Sequence, residues 1–432
     1  MITSSPVEAM GPDIPAAHAA IAAADVVLRE RRALYQFAVD LMCADAPQVL
    51  EPDLIDSPIA RHRVGEALAG GPIPSFSDLV GIGDVAGDAG CGPAGVPVAS
   101  RPGANDVLAA VLNAVGTELD SQHAATGPLR LLTEADGDRF AAACKMLRDG
   151  ITLARSESPE LADDLLAHVA LVAIVDPQHT GRLASASSRR FPGLVLLESP
   201  RSSIEVAEAI VHEGAHQKLF DLAITRNLLD VDSDRCTPFH PPWAAEGRLW
   251  PLEQTLAAGH AYACLAKFAH DSGATTGRRP VADGSLLPVA SERCEIIGQW
   301  LLERGGYLRT DAHTLLERLL GRWPRTAAAA EDGPTGTAFD YAASAPLEFR
   351  RCASPDRVLV GRLSSVPRLY WVNEDAALLL ELLGHTPVDD IVDTFAHRWS
   401  MTPPDATHRL SALLSDLSAS GLVTTDRAAA MS

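Results

Sequence analysis

Cysteine is scarce and scattered in this chain. Seven residues in 432 (Cys43, Cys91, Cys144, Cys236, Cys264, Cys294, Cys352) are odd in number and form no CxxC pair. That argues against a disulfide framework and a zinc ribbon, and for a reducing cytosol. Basic charge is also short: 36 Lys and Arg stand against 56 Asp and Glu, for a net charge of -20 and a pI of about 5.1. Nucleic acid is therefore not expected as a partner. No apolar run reaches the roughly 18 residues of a membrane span. The opening MITSSPVEAMGPDIP lacks the basic and apolar regions of a signal peptide. No membrane partner and a cytoplasmic location are the expectation. No internal repeat is evident. What the chain does have is 47% hydrophobic residues, enough for large cores in two or three domains.

The stretch around which the chain is organised is IEVAEAIVHEGAHQKLFDL, residues 204–222, which contains His212-Glu213-Gly214-Ala215-His216, an H-E-x-x-H. Ser202 and Glu205 have the S-x-x-E spacing of a capping box just after Pro200. Ile204, Ala207, Val211, Ala215, Leu219 and Leu222 recur at helical spacing and predict a buried stripe. His212 and His216 then leave one helix face a turn apart, where two neutral imidazoles can share one divalent ion. Glu213 is beside them, able to act on a metal-bound water or to orient a ligand. The bland alternative is a core helix whose histidines are satisfied by hydrogen bonds.

Two histidines do not complete a protein metal site. The extended metzincin pattern is excluded, because Leu219 and Leu222 stand where it needs Gly and His. A second helix, opened by Pro251, offers His260 as first choice and Glu253 as alternative; two turns apart, they share a face. His240, in the irregular 230–250 stretch, is third.

Elsewhere, helices are expected at 16–42, 105–116 and 134–156, and a Gly- and Pro-rich loop at 70–104. Residues 165–175 are apolar enough for helix passing into strand, followed by a loop and a strand at 194–198. A strand just ahead of an H-E-x-x-H helix is zincin-like, and its edge can bind an extended peptide beside the metal. Two further helices precede residue 323. Residues 324–355 lack periodicity and read as a linker. Residues 356–426 read as a separate domain: a strand at 369–372, helices at 374–383 with Asn373 as N-cap, 387–399 and 405–420, and Gly421 as the last stop. One strand element, three short helices and a terminal G-L-V form a winged-helix pattern, too acidic for DNA. The fold class expected is mainly α with a small β component. A helical zincin-like domain would fill 1–323, with a helical part at 1–160 and a metal core at about 180–320, followed by the winged helix.

The run N-E-x-A-A-x-L-L-x-L-L-G-x-T-P-V-D-D-I-V, ending in L-x-x-L-x-x-x-G-L-V, resembles the PqqD-like family of recognition elements. These bind leader peptides of ribosomally made, post-translationally modified peptides. The resemblance covers most of 357–425, and its second half is the more specific. The central region, GLVLLESPRSSIEVAEAIVHEGAHQKLFDL with PPW and GHAYACLAKF, resembles the HExxH peptide-modification proteins, which look like iron- and 2-oxoglutarate-dependent hydroxylases. The two resemblances imply a precursor peptide as partner, with Fe(II) and 2-oxoglutarate as cofactors. The distal carboxylate of 2-oxoglutarate would need a cation. Arg248 is the candidate and Lys218 the second. The leader would add to the strand Leu369, Tyr370, Trp371 and Val372, with Leu410 and Leu414 lining the groove beside it. The competing reading is a zinc metallopeptidase using the same His212, Glu213 and His216. A third is a peptide-binding maturation factor without catalysis. Oligomeric state is left open, a homodimer being one option.

Overall fold

The computed structural model describes residues 13–43, 49–86, 95–101, 130–176, 185–244, 247–274, 281, 284–321, 341–351, 356–363 and 367–424. The helix expected at 105–116 lies outside these residues. The protein is mainly helical, with three small sheets among the described residues. No described helix is long and apolar enough to cross a membrane. The chain forms two compact units. One comprises residues 1–31, 50–63 and 74–325, the other 32–49, 64–73 and 326–432.

In the first unit, β1 (Leu171–Val175) pairs in parallel with β3 (Leu194–Glu198), and β2 (Ser185–Ser187) adds antiparallel to the other side of β3. Val172, Ile174, Val195 and Leu197 point into the helical core. Leu171, Ala173, Leu194 and Leu196 point the other way, onto Ile59, Val85 and Phe191. Burial on both faces is why these strands read as unbroken apolar runs instead of alternating ones. The strand expected at 194–198 is therefore the centre of its sheet, not an edge. Among the described residues β2 lies at one edge of it, in a stretch that reads as loop.

The histidine helix runs Ser203–Thr225. Ser202 Oγ accepts from the Glu205 amide at 3.3 Å, and the Glu205 carboxylate accepts from the Arg201 amide at 2.9 Å. The expected stripe is buried except for half-buried Ile204, but so are Glu213, Gln217, Lys218 and Asp221. The helix is enclosed nearly all round, and Glu213, Gln217, Lys218 and Asp221 each have a partner, as the cost of burying them unpaired requires. Gln217 accepts from the Gly193 amide at 2.5 Å and donates to the Leu194 carbonyl at 2.8 Å. Asp221 accepts from Arg31 and Arg61, each at 2.5 Å, and from His168 Nδ1 at 2.8 Å. Arg31 also reaches Asp56 at 2.5 Å.

Helix Asp138–Glu157 packs against the histidine helix at Gly150, where an added Cβ would lie 2.3 Å from Val206 Cβ and 2.9 Å from the Ser203 carbonyl oxygen. Gly150→Ala is expected to lower stability by about 1–3 kcal/mol through overpacking, read as a fall in urea midpoint with an unchanged slope. An unchanged midpoint would mean that the two helices are not pressed together there.

The second unit holds β4 (Ala342–Ala343) paired with β8 (Val423–Thr424), and an antiparallel sheet of β5 (Leu347–Arg351), β6 (Arg357–Arg362) and β7 (Arg368–Asn373) in that order. Helices Glu374–Leu382, Val388–Trp399 and Pro403–Ala419 complete it. Asn373 caps the first through a 2.7 Å bond from the Ala376 amide. Gly421, at φ 74°, ends the last. Two strands, β4 and β5, fall within 324–355, so those parts of the expected linker are ordered sheet. Val358 and Val360 face the helices of this unit. On the opposite face of β6, a Cβ on Gly361 would lie 2.6 Å from Leu41 Cδ1 and 3.2 Å from Phe37. Asp40 pairs with Arg350 of β5, whose guanidinium sits 4.9 Å over the Phe37 ring. The second face of this sheet is thus covered by residues some three hundred positions earlier. They belong to helix Ala24–Met42, which is separate from Ile14–Ala19 where one continuous helix is expected.

Candidate functional site

His212 and His216 project from one face of the histidine helix, with their Nε2 atoms 3.2 Å apart. Two nitrogens each about 2.1 Å from one ion stand roughly 3.0 Å apart at an octahedral angle and about 3.4 Å at a tetrahedral one. The observed spacing lies between. Desolvation, then the neighbouring His212, lowers the His216 pKa to about 4, so the imidazole is neutral, as a metal ligand must be. Phe220 stacks on His216 with ring centroids 6.3 Å apart.

Glu213 is buried, and its two carboxylate oxygens accept from the hydroxyls of Ser185 at 2.7 Å and Ser187 at 2.6 Å. These serines alternate along β2 and so point to one side of it. One carboxylate oxygen lies within 4.8 Å of both histidine nitrogens. Edge strand β2 thus positions an acid beside the imidazole pair. The donor set (two neutral imidazoles and one carboxylate) fits a divalent ion.

The other sequence candidates are elsewhere. His260 is fully buried, with its Nε2 2.7 Å from His18 Nε2; it is not among the donors grouped within 4.8 Å around His212 and His216, although, besides burial, His216 is one of the groups that lower its pKa. Glu253 is on the surface in an ion pair with Arg189. Lys218 is buried and bonded to Asp164. His240 is exposed, and Arg248 is half-buried ahead of helix Leu252–Asp271. Neither Glu253 nor Lys218 is brought to the histidine pair.

Residues that the sequence did not point to stand next to His212. The Tyr262 ring meets His212 edge-on at 6.4 Å. Arg293 donates to the Tyr262 hydroxyl at 2.8 Å and lies 4.8 Å over Trp243. No described carboxylate pairs with Arg293. Glu208, one turn before His212, accepts from Ser285 Oγ and the Leu286 amide, each at 2.6 Å, and burial pushes its pKa up. Arg293 gives no signal in sequence because, between Glu292 and Glu295, it reads as one more solvated charge.

In the second unit, β7 is an edge strand that is hydrogen-bonded only to β6 among the described residues. Leu369, Tyr370, Trp371 and Val372 along it are each half-buried. The strand passes directly into the Asn373-capped helix, and two further helices follow. Residues 361–423 match the family model of coenzyme PQQ synthesis protein D (PqqD). No curated protein matches the chain. PqqD-like domains bind precursor peptides in the maturation of ribosomally synthesised peptides, and the C-terminal part of this protein is such a domain.

Within the PqqD domain, Leu410 and Leu414 are almost fully buried and belong to the core. They line a cavity of about 270 Å³ under the turn Gly384–His385–Thr386, not an open groove along β7. Apolar spacing on the last helix marks the face turned inward. It does not by itself mark a surface.

Proposed function

We propose that the protein hydroxylates a side chain of a ribosomally made precursor peptide with Fe(II) and 2-oxoglutarate, its PqqD domain holding the leader. The observation that carries this reading is the occurrence in one chain of a PqqD domain and an imidazole pair spaced for one divalent ion. Iron with 2-oxoglutarate and dioxygen supplies an oxidant strong enough for an unactivated carbon. His212 and His216 would hold the ion, and Glu213 would complete a two-histidine, one-carboxylate set. Both Glu213 oxygens already accept hydroxyl hydrogens. That fixes the carboxylate and leaves it less free to take a proton from water, the task a peptidase would give it.

Arg293 is suited to the distal carboxylate of 2-oxoglutarate, since stacking on Trp243 presents a guanidinium fork that no described carboxylate has claimed. It joins Arg248 as a candidate, whereas Lys218 is committed to Asp164. Strand β2 offers its outer edge to the core peptide, and β7 offers its own to the leader. Tethering the leader raises the local concentration of the core peptide at the metal, so a weak active site can still serve one substrate.

Incubating the precursor with the full-length protein, Fe(II) and 2-oxoglutarate should add one oxygen to the peptide and release succinate. Cleavage that ignores 2-oxoglutarate would instead establish a peptidase. Arg293→Gln should raise the KM for 2-oxoglutarate about 10- to 100-fold, the worth of one charged hydrogen bond. Its metal content should not change, and Arg293→Lys should recover part of the loss. An unaltered KM would remove Arg293 from the site.

A further inference from the structure

A second group of donors lies inside the first unit, away from the surface. His18, His260 and Cys264 are each 1% exposed or less. Their ligand atoms lie within 4.8 Å of one another. His260 and Cys264 are one turn apart on helix Leu252–Asp271, so their side chains share a face. His18 reaches them from helix Ile14–Ala19. His18 Nε2 is 2.7 Å from His260 Nε2, and Cys264 Sγ is 3.9 Å from that same nitrogen.

The support behind His18 is that of a metal ligand. Its Nδ1 donates to Asp164 at 2.6 Å, and Lys218 holds the other oxygen of Asp164. A carboxylate on Nδ1 fixes the tautomer, so the Nε2 lone pair of His18 faces His260 and Cys264. Without an ion, His260 must donate its Nε2–H to His18. Its Nδ1 is then a bare acceptor in the interior, without a hydrogen-bond partner among the described residues. Among the described residues, the hydrogen-bonding contact of the Cys264 thiol is to the same imidazole. The three ligand atoms, His18 Nε2, His260 Nε2 and Cys264 Sγ, thus share one good hydrogen bond, a poor return on their desolvation.

We propose that His18, His260 and Cys264 form a closed binding site for one thiophilic d10 ion, Zn(II) or Cu(I), separate from the His212–His216 pair. Binding turns the single hydrogen bond into three dative bonds, shifts the His260 proton from Nε2 to Nδ1 and releases the Cys264 proton to solvent. Parting the two imidazoles by less than an ångström admits the ion. Lys218 and Asp164 cancel in charge, so Cu(I) with the Cys264 thiolate leaves the pocket neutral, whereas Zn(II) leaves one positive charge. This inference does not depend on the hydroxylase reading, since it invokes neither His212 nor turnover.

The test uses full-length protein stripped of metal and titrated separately with Co(II), as a coloured stand-in for zinc, and with Cu(I). Wild type should take up a second equivalent of at least one of them, and Co(II) held there should show a thiolate-to-metal charge-transfer band. His216→Ala should retain that equivalent and band. Cys264→Ser should lose both and keep metal at the histidine helix. Because a buried substitution can unfold a protein, X-ray absorption on the loaded wild type gives a second reading: one sulfur and two nitrogens around the ion. Saturation at one equivalent of each metal with no sulfur scatterer would overturn the site, as would a band that survives in Cys264→Ser.

Discussion

Asp221→Ala should cost about 3–5 kcal/mol of stability, the range found when one partner of a buried ion pair is removed. Asp221 is the shared acceptor for two buried guanidinium groups, Arg31 and Arg61, and for His168. Burial alone would raise its pKa, but Arg31 and then Arg61 outweigh that and hold the carboxyl well below the usual range. Its contribution is therefore complete above the unfolded-state pKa of about 4 and is lost as the pH falls below it. Removing the carboxylate takes from the two buried guanidinium groups the counter-ion that they share, while Asp56 stays on Arg31. Urea unfolding at neutral pH reads the loss. Asp25→Ala, which breaks the exposed Asp25–Arg29 pair, is the control and should change nothing measurable. If the two variants unfolded at the same urea concentration, the Asp221 cluster would have no special weight.

Removing an imidazole from the proposed catalytic pair should have the largest effect on activity. His216→Ala is expected to lose the metal at the histidine helix. Turnover of the precursor should then fall at least about a thousandfold, ~4 kcal/mol of barrier. The helix should remain folded, because its buried contacts on Val211, Ala215, Leu219 and Leu222 are untouched and Ala favours helix. Metal analysis beside a melting curve separates the two effects. Equal metal at that site in both proteins, with the Cys264 site accounted for, would show that His212 and His216 do not bind an ion.

The histidine helix was legible in the sequence because every signal for it is local: the Ser202 cap, the stripe and the four-residue histidine spacing. The C-terminal helices were legible for the same reason, through Asn373 and Gly421. What failed was long-range. His260 shares a face with Glu253 by spacing, yet tertiary packing buries the one against His18, 242 residues away, and leaves the other on the surface. Lys218 reads as a free cation on a polar face, but the helix has no free face there, and periodicity does not register enclosure. Strand β5 (LEFRR) has little apolar pattern of its own. Its order comes from pairing with β6 and from Asp40, neither visible in a local window.

The covering of β6 by Phe37 and Leu41 has a consequence for the order of events on the ribosome. Asp40 and Arg350 are 310 residues apart. At about 5–20 residues per second, the early helix waits roughly 15–60 s before its sheet exists. Phe37 and Leu41 have no native cover from that sheet during the interval. Closing so long a loop is slow, so the PqqD domain should be the last part of the nascent protein to resist protease. Translation products truncated before residue 351 should show the segment around Phe37 cut readily, and full-length product should show it protected.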